Sequence, residues 1–356
     1  SLGVAFKITT SLSPAFTVLR HFADATGGQP AGALVRGSDG LLYGQTATGG
    51  TGGLGTAFKI TTTGTHTVLA NFTGEAGAVP GASPRGGFVT GADAQFYSIT
   101  SAGSAGNAGQ AFKTSQAGVI TALSSLSLAP GWSPSGAPVV GAAGALLFPV
   151  AQGGTGGGGN IMSFTTGGGI SIAAALGGTL GAMPDGALRA AGSVYYGVAA
   201  RGGVSSRGTM FRYTPGVGAA LVVAYSTSAG SLAEGPLVLG VDGLYYGIGR
   251  EGGASSRGAI YKVTTAGVRT RIFSHGGCGT GRQTVRTAGA GSRWKLLRHH
   301  RGGRNGEHRR HFPPHARRSL CRDASHRQHR TASAAGRLGH RHRWRAPWHD
   351  ERGRHG

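Results

Sequence analysis

Residues 33–72 read ALVRGSDGLLYGQTATGGTGGLGTAFKITTTGTHTVLANF. The stretch contains four segments rich in strand-forming residues, at 33–37, 41–47, 56–62 and 65–72. Ser38-Asp39-Gly40 joins the first two, and Asp-Gly favours a tight hairpin because glycine adopts a positive φ without steric cost. Thr63-Gly64 joins the last two in the same way, whereas the glycine-rich residues 48–55 form a longer loop. The stretch therefore predicts a four-stranded antiparallel unit.

The unit repeats along the chain. One aromatic or apolar marker recurs in the second predicted strand at intervals of 54, 51, 48 and 50 residues, at Tyr43, Tyr97, Phe148, Tyr196 and Tyr246. Another recurs in the third predicted strand at intervals of 52, 54, 50, 49 and 50 residues, at Phe6, Phe58, Phe112, Met162, Phe211 and Tyr261. Four antiparallel strands in each period of about 50 residues are typical of a kelch-length β-propeller blade.

These two markers predict an all-β, propeller-like array of four-stranded blades, with a β-solenoid as the alternative architecture. The repeated aromatic residues are predicted to pack between blades, because each blade buries an apolar face on its neighbour. Stacking on a bound ligand is the alternative role for these aromatic side chains.

The repeat divides the chain into three regions. Residues 1–29 are predicted to supply two strands of a partial blade, residues 30–273 five full blades, and residues 274–356 a basic tail. Glycine, at 70 of 356 residues, suits many short strands joined by turns. The partial blade predicts an open or incomplete array with an exposed strand edge. Ser1 in place of an initiator Met predicts a processed start or a fragment.

The repeat resembles a known bacterial tandem repeat, nicknamed GloVer. The resemblance lies in G-T-x-F-K-[IL]-T, T-V-L-x-x-F and a segment ending in D-G-x-L-Y-G, and residues 58–61, 67–72 and 27–44 carry it best. It covers roughly residues 3–273 and weakens at 110–175, where Phe148-Pro149 replaces Tyr-Gly. Proline should lie at an edge or a bulge, which predicts an irregular blade. The resemblance implies a secreted or surface-displayed protein with no known enzymatic activity.

The tail differs from the repeats in composition. It holds 20 of the 35 lysines and arginines, 12 of the 14 histidines and 16 of the 23 net positive charges. Such a segment is predicted to be disordered as translated, and it would bind phosphates without sequence specificity. Both cysteines, Cys278 and Cys321, lie in it, and their spacing with histidine does not fit a zinc site.

A shifted reading frame offers a second explanation of the tail. A shift of one base allows residues 294–299 to encode G-N-F-Y-G-T, and residues 337–349 to encode G-L-V-T-G-T-D-G-A-L-H-G-T. The concealed tyrosine falls at Leu297, which is 51 residues after Tyr246, so it keeps the period of the repeat. We therefore hypothesise a frameshift near residues 270–280, with a genuine nucleic-acid-binding arm as the alternative.

The repeats contain few residues of the types that act in catalysis. Residues 1–273 contain no cysteine and two histidines, His21 and His66, which are predicted to lie on solvated strand faces. Asp39, Asp93 and Asp242 occupy the hairpin position, where aspartate is a turn former. The glycine-rich loops lack the Lys-Ser/Thr ending of a phosphate-binding loop and are predicted to be inter-strand loops. We predict no catalytic, cofactor-binding or metal-binding residues and no cofactor.

The leading functional hypothesis is a non-enzymatic extracellular or cell-surface module for binding or display. Its ligand is unknown, and a glycan or cell-envelope component is the candidate. A propeller hydrolase or lyase acting on glycans is one alternative, and nucleic-acid binding through the tail is another. Acids or histidines clustered in a central channel would favour the enzyme, whereas a channel lined by glycine, serine and threonine would favour binding. No apolar run is long enough to span a membrane.

Overall fold

The computed structural model describes residues 2–9, 13–75, 77–127, 131–154, 156–226, 231–253 and 256–274. Apart from Ser274, the tail predicted to be disordered lies outside this part of the chain, and so do both its cysteines. The described residues contain 23 β-strands and four short 3-10 turns, with no α-helix among them.

Two strands at the start form the partial blade: β1 (Val4–Ile8) and β2 (Phe16–His21). Five further sheets follow in chain order. Blade 1 has strands β3 (Gly28–Arg36), β4 (Leu42–Thr48), β5 (Thr56–Ile60) and β6 (His66–Asn71). Blade 2 has strands β7 (Ala82–Thr90), β8 (Phe96–Ala102), β9 (Gln110–Thr114) and β10 (Ile120–Ser125).

The other three blades follow the same plan. Blade 3 has strands β11 (Trp132–Pro134), β12 (Val139–Val140), β13 (Leu146–Gln152), β14 (Asn160–Phe164) and β15 (Ile170–Ala175). Blade 4 has strands β16 (Ala182–Ala191), β17 (Val194–Arg201), β18 (Thr209–Thr214) and β19 (Gly218–Ala224). Blade 5 has strands β20 (Ser231–Leu239), β21 (Tyr245–Glu251), β22 (Ala259–Val263) and β23 (Arg269–Ser274).

Every sheet is antiparallel, and sequential strands are neighbours in all of them except that of blade 3. The predicted all-β, propeller-like array of four-stranded blades is confirmed. The first strand of blade 1 differs from the prediction, because it begins at Gly28 rather than at residue 33. Pro30 and Gly32 hid this extension, since both weaken a strand pattern. The strand accommodates them through a bulge between Ala31 and Val35.

Blade 3 is irregular, as predicted from Pro149. Its first strand is split into β11 and β12, and both pair with β13. Pro149 lies inside β13, but it faces the gap between the paired positions Pro134–Val150 and Val139–Leu147. A residue without an N–H is tolerated there because the opposite strand is interrupted.

Backbone contacts join the first strand of one blade to the preceding blade. The N–H of Ser83 in blade 2 donates to the carbonyl of Leu54 in blade 1 at 2.8 Å, and Leu232 donates to Arg207 at 3.0 Å. Ser83 and Leu232 adopt positive φ values of 51° to make these bonds. A side chain on Gly32 would overlap the carbonyl of Gly86 on the next blade. The blades therefore pack backbone against backbone at these positions.

The repeated aromatic residues pack between blades. The Tyr43 ring of blade 1 lies 4.7 Å from the Phe96 ring of blade 2, measured between centroids. The Tyr196 ring of blade 4 lies 4.5 Å from the Tyr245 ring of blade 5. These rings belong to apolar clusters that span neighbouring sheets, so the predicted packing role is confirmed.

Candidate ligand-binding surface

The aspartates predicted as turn formers also hold the repeated tyrosines. Asp39 Oδ1 accepts the N–H of Leu41 at 3.1 Å, and Asp39 Oδ2 accepts the hydroxyl of Tyr43 at 2.6 Å. The same pair of bonds recurs at Asp93 in blade 2 and at Asp242 in blade 5. The turn-forming role is confirmed, and the bond to the tyrosine is a further role that the sequence did not reveal.

These bonds make the stability of the fold depend on pH. The hydrogen bond from Tyr43 lowers the pKa of Asp39, and the bond from Tyr246 lowers the pKa of Asp242. A carboxyl with a lowered folded-state pKa stabilises the fold fully above its unfolded pKa of about 4. That contribution is lost as the pH falls through the folded-state pKa.

We therefore expect the urea midpoint to fall as the pH decreases from about 5 to about 2, and to fall less in an Asp39→Asn, Asp242→Asn double variant. Urea titrations at successive pH values measure this difference. An equal fall in both proteins would contradict it.

The two histidines lie in different surroundings. His21 is exposed on β2, as predicted, but the prediction of a solvated position is wrong for His66, which is half-buried. The His66 ring lies 5.5 Å from the Phe22 ring and 5.0 Å from the Phe58 ring. Burial lowers the pKa of His66, and the positive charge of Arg20 lowers it further. His66 therefore contributes packing between the partial blade and blade 1.

The glycine-rich loops connect the second and third strands, as predicted. In blade 1 the N–H of Gly55 donates to the carbonyl of Gly49 at 2.9 Å. The carbonyl of Leu54 accepts the bond from Ser83 of the next blade. These backbone groups of the loop form hydrogen bonds within the array. In a phosphate-binding loop, by contrast, free amides point at the ligand.

The first strands of blades 4 and 5 carry an acidic residue at equivalent positions, Asp185 and Glu234. Asp185 Oδ2 accepts the N–H of Gly235 at 3.1 Å, so this carboxylate lies against the backbone next to Glu234. Glu234 Oε2 lies 3.8 Å from Nε of Arg250, and the Glu234 side chain is 19% exposed. The equivalent residues of blades 1 to 3 are Ala31, Arg85 and Ser135.

Arginine and serine distinguish the loops of the last two blades. Residues 201–208 read RGGVSSRG and residues 250–258 read REGGASSRG, whereas residues 48–55, 102–109 and 152–159 of the earlier blades carry no charge. Arg207 Nη1 lies 3.8 Å from Glu251 Oε2 on the next blade. The carbonyl of Arg207 also accepts the N–H of Leu232. We call this connected region the arginine loops: Arg201, Arg207, Arg250, Glu251 and Arg257.

The arginine loops present cationic groups to solvent. Arg201, Arg250 and Arg257 are exposed, and the Arg207 side chain is 43% exposed. A guanidinium donates two parallel hydrogen bonds to a carboxylate or a sulfate, which makes arginine a specific ligand for such groups. Glu251 lies 3.8 Å from Arg207, and Glu234 lies 3.8 Å from Arg250. The surface is therefore suited to an anionic ligand.

This surface was not predicted from the sequence. The repeated S-S-R-G of the two loops was visible in the sequence. The pairing of Arg250 with Glu234 was not visible in the sequence. The two residues lie on different strands of one blade, and only the fold defines the register between those strands.

Within the described residues, no group of three or more His, Cys, Asp and Glu side chains could hold a metal ion. The same residues contain no helix of the length and apolarity that a membrane span requires.

The family model of the Gloeobacter/Verrucomicrobia repeat matches residues 83–306. The chain belongs to this repeat family. The match begins in the first strand of blade 2, includes the arginine loops and continues past residue 274. The resemblance to the GloVer repeat is thereby confirmed. No curated protein sequence matches this member of the Gloeobacter/Verrucomicrobia repeat family.

Solved structures of low sequence identity are similar to this family member. A gluconolactonase from Xanthomonas campestris is 12% identical, with 74% of this chain and 81% of that chain covered and a TM-score of 0.45. A protein of unknown function from Bacteroides thetaiotaomicron is 14% identical, with 71% and 60% covered and a TM-score of 0.45. An endo-1,4-beta-xylanase from the same organism is 13% identical, with 69% and 95% covered and a TM-score of 0.38.

Proposed function

We propose that this chain is a non-enzymatic extracellular or cell-surface binding module whose ligand is an acidic glycan. The observation that carries the proposal is the set of four arginines on two neighbouring loops, anchored between blades by the Arg207–Glu251 contact of 3.8 Å. Carboxylate or sulfate groups spaced along a glycan would accept hydrogen bonds from several guanidinium groups at once. The surface location rests on membership of the repeat family.

Binding of polygalacturonate, a polymer of uronic acid, tests this proposal. The full chain should bind it, and an Arg201→Gln, Arg257→Gln double variant should bind about tenfold more weakly, because two charge-assisted contacts are lost. The matched control is Arg36→Gln, Arg212→Gln, which removes the same charge from exposed strand positions. Titration calorimetry with all three proteins measures the difference, and neutral dextran serves as the control polymer.

The basic tail makes these controls necessary. It carries most of the net positive charge, so it supplies polyanion binding that is equal in all three proteins. If the two double variants lose the same affinity, binding depends on total charge and the proposed surface is wrong. Nucleic acid would then be one of many polyanions that the chain binds without specificity.

A glycan hydrolase or lyase is the alternative, and the presence of acidic residues at equivalent positions of adjacent blades, Asp185 and Glu234, favours it. Two carboxyl groups are the usual requirement for glycoside hydrolysis. Release of reducing ends or unsaturated products by the full chain, abolished in Asp185→Asn and in Glu234→Gln, would establish this alternative. The absence of turnover together with binding would favour the module.

We also propose that residues after about 275 are translated in a shifted frame. The support is the period, because the concealed tyrosine falls 51 residues after Tyr246. Resequencing the gene across codons 270–280 tests this idea. A one-base insertion or deletion relative to close homologous genes is expected, and an intact frame would make the basic tail a genuine part of the protein.

A further inference from the structure

His66 is the first residue of β6 and packs on two aromatic rings that belong to different sheets. The Phe22 ring of the partial blade lies 5.2 Å from the Phe58 ring of blade 1, and the His66 ring lies within 5.5 Å of both. We call these three residues the N-terminal junction: Phe22, Phe58 and His66. The junction holds the partial blade on blade 1, because Phe22 and Phe58 belong to the apolar cluster that the two sheets share.

The junctions between the other blades show which side chains this position holds elsewhere. Between blades 1 and 2, the Phe72 ring lies 5.2 Å from the Phe112 ring, and Ile120 packs on their apolar cluster. The pairing of the third and fourth strands identifies the equivalents of His66 as Ile120, Ile170, Ala219 and Arg269. Three of the four are apolar, so packing between blades does not require a titratable side chain here.

Arg269 shows what surrounds a cation at this position. Its Cζ lies 4.7 Å from the centre of the Tyr225 ring, and its guanidinium donates to Ser226 Oγ at 3.1 Å. At the N-terminal junction the tyrosine is replaced by Phe22 and the serine by Ala23. The hydroxyl-bearing neighbours of Arg269 therefore have apolar counterparts around His66.

Two nitrogen atoms at the N-terminal junction are buried. Within the described part of the chain, His66 Nε2 and Arg20 Nε have no hydrogen-bond partner. A neutral imidazole carries a proton on one ring nitrogen only, whereas the protonated ring carries a proton on both. Protonation of His66 would therefore leave a buried N–H donor without an acceptor, close to the positive charge of Arg20. The docked partial blade disfavours the charged form of His66 for this reason.

The charges around His66 do not offset a positive charge on its ring. The charged and titratable side chains of the strands packed at the junction are all basic: Lys7, Arg20, His21 and Lys59. Asp24, in the turn after β2, is exposed. Burial lowers the pKa of His66, and the charge of Arg20 lowers it further. The residues equivalent to Arg20 in the full blades with a following blade are uncharged: Ala70, Ser124, Ala174 and Val223.

We propose that the N-terminal junction is an acid-sensitive switch, in which protonation of His66 releases the partial blade from blade 1. A released His66 has the ordinary histidine pKa of about 6.5, and the docked His66 has a lower pKa, so release takes up a proton. Docking therefore weakens as the pH falls below about 6.5, by at most about tenfold for each pH unit. Release exposes the Phe58 ring of blade 1 to solvent, and a two-stranded hairpin alone is only marginally stable in water.

Amide hydrogen exchange of the full chain at about pH 7.5 and about pH 5.5 tests the proposal, with each rate divided by the intrinsic rate at that pH. Protection of residues 4–8 and 16–21 should fall by up to about tenfold at the lower pH. His66→Ile, which introduces the residue of blades 2 and 3, should show no such loss. The matched control is His21→Gln, which removes the exposed histidine of β2 and should behave like the unmodified chain.

The proposal is wrong if the unmodified chain keeps its protection at the lower pH, or if His66→Ile loses as much as the unmodified chain. It is also wrong if His21→Gln abolishes the loss, or if all five full blades lose protection in parallel, because acid would then unfold the whole array. The hairpin aspartates do not produce the expected effect, since their contribution is lost at lower pH. The test is independent of the acidic-glycan site, which lies on blades 4 and 5.

Discussion

Gly32→Ala is expected to reduce the free energy of unfolding by more than about 3 kcal/mol, since a rigid backbone clash cannot be relieved by one side chain. The added methyl group would overlap the carbonyl of Gly86 on the next blade. Gly32 also has a φ of 75°, which alanine adopts at a cost. Relief of the overlap requires blades 1 and 2 to separate, and separation would expose the apolar cluster that they share.

The matched control for this change is Gly53→Ala. Gly53 has nearly the same φ, 70°, but a side chain there would have no atom within 4 Å. The control should therefore show the conformational cost alone, about 1–2 kcal/mol. Urea denaturation of the full chain, followed by far-ultraviolet circular dichroism, measures both variants. Similar losses for Gly32→Ala and Gly53→Ala would mean that the blades do not approach each other closely at Gly32.

The sequence predicted the architecture because the repeat consists of local patterns, namely strand-forming segments and turn residues at regular spacing. The spacing of Tyr43 and Phe58 and their equivalents, together with the Asp-Gly turns, was enough to place strands and their order. The start of the first strand was missed because Pro30 and Gly32 do not resemble a strand. They are explained by the bulge and by the contact with the next blade, neither of which is a local property.

The candidate site was less predictable. Its composition was available, but the sequence cannot show that Arg207 contacts Glu251 on the next blade or that Asp185 bonds to Gly235. One position of the first strands also differs in character from blade to blade. Blades 4 and 5 contribute Asp185 and Glu234, whereas blades 1 and 3 contribute Ala31 and Ser135. Both the arginine loops and the acidic residues of the first strands distinguish blades 4 and 5 from the other blades.

Tyr43→Ala is expected to cost about 3–5 kcal/mol, which is typical of removing a large buried aromatic side chain. Tyr43 has no exposed surface, and its ring packs on Phe96 of the next blade at 4.7 Å. Tyr43→Phe keeps this packing and removes the hydroxyl bonded to Asp39 at 2.6 Å, so its effect should be much smaller. The comparison separates the packing of the ring from the hydrogen bond.

Tyr246 supplies the matched position, because it makes the same bond to Asp242, at 2.7 Å, but remains partly exposed in blade 5. If inter-blade packing is the main contribution, Tyr246→Ala should cost less than half as much as Tyr43→Ala. Thermal and urea denaturation of the three variants measure the ordering. Equal losses at the two tyrosines would place the stabilisation in the Asp-Tyr hydrogen bond. The repeated tyrosines would then stabilise the fold mainly through their hydrogen bonds at the hairpin turns, rather than through packing between blades.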